Sequence, residues 1–251
     1  MHKNDNNDGS PNVAPHLEDL ALLTFSARFL MVIVMLFSAA SASASPDDKL
    51  PTPAEVMFDR AHLDGTKAGD TLTYKVKRDV SEPKLLGPSF EDTIKVEIKS
   101  VDENNAKALT VNVFTGDRAR DPRNITGMTG NPVLVFFLDR SVFGYASVAG
   151  GKRAYLKNRF RIELRDTAKI KPAKVAYGGQ TYDGYHVRVQ PYAVDGNKNK
   201  MRGYADSIFE LVLSEKIPGH FAQFKIDIKS IEKGRPSFVE TISLDGAEVV
   251  E

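Results

Sequence analysis

Residues 93–99, Thr-Ile-Lys-Val-Glu-Ile-Lys, alternate strictly between polar and apolar. Ile94, Val96 and Ile98 fall on one parity; Thr93, Lys95, Glu97 and Lys99 fall on the other. Successive side chains of a strand point to opposite faces, so a period of two gathers the branched apolar groups on one face and the charges on the other. One dry face and one wet face mark an antiparallel sheet, because a buried parallel strand reads as an unbroken apolar run. The pattern repeats on both sides of this stretch. Leu72, Tyr74 and Val76 alternate in 71–77, Val111 and Val113 in 108–114, and Tyr185, Val187 and Val189 in 184–190. Residues 221–229 set Phe224, Ile226 and Ile228 against Gln223, Lys225, Asp227 and Lys229, and 237–244 carry Phe238, Glu240, Ile242 and Leu244 on one parity.

Turn residues separate these runs. Asp102-Glu-Asn-Asn105, Gly178-Gly179, Ile217-Pro218-Gly219-His220 and Lys233-Gly234-Arg235-Pro236 supply the residues that tight turns need, with Pro-Gly in type II order and Gly-Gly as a two-residue hairpin. The middle of the chain changes period. Asn131-Pro132 opens a helix, with asparagine as cap and proline at the first helical position, and Gly150-Gly151 stops it. A second helix over 153–168 is strongly charged, and Leu156, Phe160 and Leu164 mark its buried stripe. A short helix is expected over 53–63. The fold class is therefore α+β: a curved antiparallel sheet of about eight or nine strands, with a central helix pair inserted between the third and fourth strands. The first of these helices is apolar nearly all round and needs cover on more than one side. A curved sheet wrapping it would give that cover, as would a flatter sheet carrying both helices on one face.

Residues 29–45 read as a secretory signal. Phe29 to Phe37 is an unbroken apolar run preceded by Arg28, and Ala40-Ser-Ala42 and Ala42-Ser-Ala44 offer small-residue cleavage sites. The run is too short for a bilayer span, which needs roughly 20 apolar residues. The expected organisation is a polar, disordered extension over 1–28, the signal core and cleavage region over 29–44, and one domain over 45–251. Cleavage near Ala44 places the protein in the periplasm or outside the cell, with no stable transmembrane span afterwards; a retained anchor is the competing reading. The acidic extension is either a genuine long leader or the product of a mis-assigned start.

Composition narrows the function classes. Removing 1–44 takes two of the 34 basic and four of the 33 acidic residues, leaving 32 against 29 and a formal +3. That balance argues against nucleic acid as a partner. The chain has no cysteine, which suits a Gram-negative periplasm better than a small secreted eukaryotic domain and leaves histidine and carboxylates as the only metal ligands. His62, His186 and His220 show no ligand spacing and read as surface residues. No nucleophile motif or phosphate loop is present, so no catalytic residue, metal or cofactor is expected and the protein is read as a non-enzyme. Asp139-Arg140 stands out as a charged pair on an apolar helix, which must be satisfied or must face a cavity. Lys152, Arg153, Lys157, Arg159, Arg161 and Arg165 crowd one segment, as in a basic helix that docks on an acidic partner or an anionic surface.

Gly130-Asn-Pro-Val-Leu-Val-Phe-Phe-Leu-Asp-Arg140, Tyr155-Leu-Lys-Asn-Arg-Phe-Arg161 and Leu213-Ser-Glu-Lys-Ile-Pro-Gly219 resemble segments of uncharacterised exported proteins of Gram-negative bacteria. The order of elements, a strand meander interrupted by helices, also resembles the half-barrel of periplasmic lipoprotein carriers. That resemblance implies an apolar concave face that takes a lipid or a lipoprotein acyl chain. The candidate lining residues are Phe136, Phe137, Phe143, Tyr145, Phe224 and Ile226, which would equally serve as core. The alternative is a non-catalytic envelope interaction or scaffold module that meets an envelope protein through the basic helix.

Overall fold

The computed structural model describes residues 49–250. The expected extension and the signal region lie outside the described residues. A short helical stretch that ends in a π-helical turn, Glu55–Asp59, buries Val56 and Met57 ahead of the first strand. Ten strands and three α-helices follow: β1 (Thr71–Val80), α1 (Pro83–Leu86), β2 (Phe90–Val101), β3 (Lys107–Val113), β4 (Arg123–Met128), α2 (Pro132–Ala149), α3 (Arg153–Asp166), β5 (Lys169–Tyr177), β6 (Gln180–Val189), β7 (Ile208–Leu213), β8 (Phe221–Ile228), β9 (Phe238–Leu244) and β10 (Ala247–Val250).

All ten strands belong to one open, curved antiparallel sheet in the order β10-β5-β6-β7-β8-β9-β1-β2-β3-β4. The β1–β9 ladder, from Tyr74 opposite Leu244 to Val80 opposite Phe238, joins the N-terminal meander to the C-terminal one. The alternation in the sequence becomes the dry face: Leu72, Tyr74 and Val76, Ile94, Val96 and Ile98, and Phe224, Ile226 and Ile228 are all buried. Register shifts between Ile98 and Ser100, between Lys107 and Leu109 and between Val212 and Leu213 add local bends to the ladders. Gly178 and Gly179 both have positive φ, as a two-residue hairpin requires.

The fold class is the one expected, with a difference in detail. The helix pair follows the fourth strand rather than the third, and there are ten strands rather than eight or nine. The strands without a sequence signal are β4 and β10, which form the two edges of the sheet. In β4, Arg123, Asn124 and Thr126 are exposed and only Ile125 and Met128 are half-buried. An edge strand is held by a single ladder and needs no fully dry face, so its side chains need not alternate.

Helix α2 is fixed to the sheet at both ends. Its cap, Asn131, accepts a hydrogen bond from the Val133 amide (3.0 Å). The same side chain donates to the Tyr74 hydroxyl (2.7 Å) and to the Gly219 carbonyl (2.8 Å), tying the helix to β1 and to the turn before β8. Further along, a Cβ on Gly144 would lie 2.6 Å from Phe238 Cζ, so glycine is what lets α2 approach β9 this closely. Helix α3 buries Leu156, Phe160 and Leu164, the stripe expected from their spacing.

Candidate functional site

Ten of the eighteen residues of α2 are buried, which agrees with a core helix although its length and hydropathy would suit a membrane span. Two of its aromatic rings go into the core: Phe137 packs on Phe224 with centroids 5.1 Å apart, and Tyr145 packs on Tyr192 at 4.0 Å. A third side of the helix is not covered. Val135 and Phe143 are each 54% exposed. They line a cleft of about 650 Å³ between α2, the start of α3 and the sheet edge formed by β3 and β4. Val111 and Val113 of β3 and Ile125 and Met128 of β4 contribute its sheet side; Val135, Phe136 and Phe143 contribute its helix side. Arg120, Arg123, Arg153 and Lys157 also line it, together with Asp121 and Asp139.

The charged pair on α2 divides between inside and outside. Asp139 meets Lys157 on the surface at 3.0 Å. Arg140 turns inward to Glu240, which is fully buried on the dry face of β9. Arg140 Nε donates to Glu240 Oε1 (2.8 Å) and its Nη2 donates to Oε2. Arg78, directly opposite Glu240 in the β1–β9 register, donates to Oε2 at 3.0 Å. Two guanidinium groups therefore share one carboxylate. Burial pulls Arg78 below its ordinary pKa; the contact with Glu240 opposes this and the charge on Arg140 adds to it. Arg140 lines the cleft and also a smaller recess of about 180 Å³ that Arg78, Leu86, Phe90 and Phe143 help to form. The rings of Phe90, Phe114 and Phe136 run edge to face beside this cluster, with centroids 5.5 and 6.0 Å apart.

The structure scatters the residues singled out from the sequence. Phe136 and Phe143 line the cleft, whereas Phe137, Tyr145, Phe224 and Ile226 lie buried in the core. Of the basic segment, only Arg153 and Lys157 reach the cleft. Arg159 is drawn to Glu163 and to Asp195 (3.0 Å), Arg165 pairs with its neighbour Asp166 (2.6 Å), and Lys152 and Arg161 face solvent. On the sheet side of the cleft, Val111 and Val113 follow the strand alternation of the sequence, whereas Ile125 and Met128 belong to β4, which carries no strand pattern. The Arg78–Glu240 pair did leave a signal. Arg78 follows Leu72, Tyr74 and Val76 on the same parity, and Glu240 sits between Phe238 and Ile242. Two charges in apolar registers call for each other.

His62 and His220 correct the expectation of surface histidines. Both are buried, with rings 5.6 Å apart in a T arrangement. His62 Nε2 lies 2.9 Å from the Val56 carbonyl and so carries the proton, which leaves Nδ1 to accept from the Asn131 amide (3.4 Å). His186 lies 3.3 Å from Glu210 on the neighbouring strand. Among the described residues, no group of three or more His, Cys, Asp or Glu side chains is arranged to hold a metal ion.

No family model and no curated protein matches the chain. Among solved structures it is similar to the Mycobacterium tuberculosis lipoprotein LppX, at 15% identity and a TM-score of 0.29, over 76% of this chain and 92% of that one. It is also similar to a LolA-superfamily protein of Nitrosomonas europaea, at 9% identity and a TM-score of 0.21, over 80% and 95% of the two chains.

Proposed function

We propose that this protein is an exported, non-catalytic binding protein of the cell envelope that takes the acyl chain of a lipid or lipoprotein into the cleft beside α2. The observation that carries this reading is the uncovered side of α2. A helix that is apolar nearly all round normally buries every side, yet Val135 and Phe143 stay open and face the apolar residues of β3 and β4 across the cleft. Its volume falls within the range of small-molecule sites, about 300–1,000 Å³. An acyl chain needs only such an apolar slot, with no catalytic group. Export follows from the signal-like segment at 29–45.

The test is native mass spectrometry of the protein purified from its own host, followed by solvent extraction. The expected result is a stoichiometric acyl-bearing lipid. A clean apo mass, joined with no uptake of added acyl ligands, would overturn the proposal.

A further inference from the structure

We infer that the occupant of this cleft is an acyl chain with an anionic head; this rests on the acyl-chain reading above. The chain as a whole is nearly neutral, at a formal +1. The cleft lining is not: it has five basic side chains, Arg120, Arg123, Arg140, Arg153 and Lys157, against the two carboxylates of Asp121 and Asp139. Of these carboxylates, Asp139 is already held by Lys157.

The guanidinium groups are laid against the apolar walls. Arg153 Cζ lies 5.1 Å from the ring centroid of the exposed Phe143, Arg120 Cζ lies 6.0 Å from that of Phe114, and Arg140 lies 5.7 and 5.9 Å from Phe114 and Phe136. Among the described residues, no carboxylate lies within ion-pair distance of Arg120, Arg123 or Arg153. Arg140 shares the Glu240 carboxylate with Arg78. Donors with unmatched positive charge therefore stand beside the apolar slot. A neutral amphiphile leaves them unmatched. An anionic head receives charge-assisted, forked hydrogen bonds at the point where its chain enters the apolar part.

Equilibrium dialysis of the full chain against hexadecanoate and 1-hexadecanol tests this, because the two probes share a chain and differ in head charge. Hexadecanoate is expected to bind at least about tenfold more tightly, the scale of one charge-assisted hydrogen bond. Arg120→Gln, Arg123→Gln and Arg153→Gln combined should lower hexadecanoate binding by more than hexadecanol binding and so narrow that preference; all three side chains are exposed, so folding is not at risk. Equal binding of the two probes to the unmodified protein would overturn the inference while the acyl-chain reading stands. Displacement of hexadecanoate by inorganic phosphate at comparable concentration would also overturn it, since the basic side chains would then hold an ion without a chain. Binding of neither probe would overturn the acyl-chain reading, and this inference with it.

Discussion

A carboxylate survives on the dry face of β9 because two guanidinium groups reach it. Removing one partner from a buried ionic cluster costs more than the cluster contributes, since the remaining charges are left uncompensated. Glu240→Gln should therefore lower stability by about 3–5 kcal/mol in urea titrations. Arg140→Met should cost less, because the Arg78–Glu240 pair stays. Asn131 is the second critical residue. Asn131→Ala removes the helix cap and takes away the partner of the buried Tyr74 hydroxyl, with an expected loss of about 2–4 kcal/mol. The histidine pair gives a pH dependence. Burial, then the neighbouring His62, lowers His220 from 6.5 to about 4, and burial also lowers His62; Glu215 acts against the shift at both. The unfolded chain takes up protons near pH 6.5 while the native state resists until about pH 4. Stability is thus complete above pH 6.5 and falls as the pH drops toward 4. His220 has a positive φ, which asparagine tolerates, so His220→Asn should keep the turn and flatten this profile in thermal melts. An unchanged profile would mean that His220 is protonated in the native state at pH 5.

The elements differ in how plainly the sequence announces them. Strands β1, β2, β8 and β9 have two ladder partners each and a fully dry face, so their composition alternates. Edge strands β4 and β10 have one partner each and carry no such pattern, which is why the helix pair is displaced by one strand from its expected place. Helix α2 was legible from its cap, its proline and its terminal glycines. Which of its sides would stay open was not, because Phe137 and Phe143 are the same residue type and only the sheet decides between core and cleft. The cleft likewise depends on β4, whose position at the edge is a long-range outcome of the fold. Gly144→Ala tests the seating of α2 on β9. Helix propensity alone favours alanine by about 1 kcal/mol, whereas the added methyl strikes Phe238 and overpacking costs about 1–3 kcal/mol. Net destabilisation in urea is expected. A stabilised variant would show that the helix does not approach the strand this closely.

On the scale of the whole molecule, the sheet order explains why an opening exists at all. Strand β9 lies at the centre, where α2 closes on it through Gly144 and Arg140. Toward β3 and β4 the same helix leaves Val135 and Phe143 open over the last two strands. Charging that wall should abolish ligand uptake without unfolding the protein. Val135→Asp and Phe143→Asp, both at exposed positions, are expected to weaken acyl binding at least about tenfold with little change in melting temperature, because surface substitutions are usually worth less than about 0.5 kcal/mol in stability. The most direct measurement is photoaffinity labelling of the full chain with a diazirine-bearing hexadecanoate, the labelled residues being located by peptide mass spectrometry. The account predicts labels confined to α2 around Val135, Phe136 and Phe143 and to the facing residues Val111, Val113, Ile125 and Met128. Labels elsewhere on the sheet, or none above background, would contradict it.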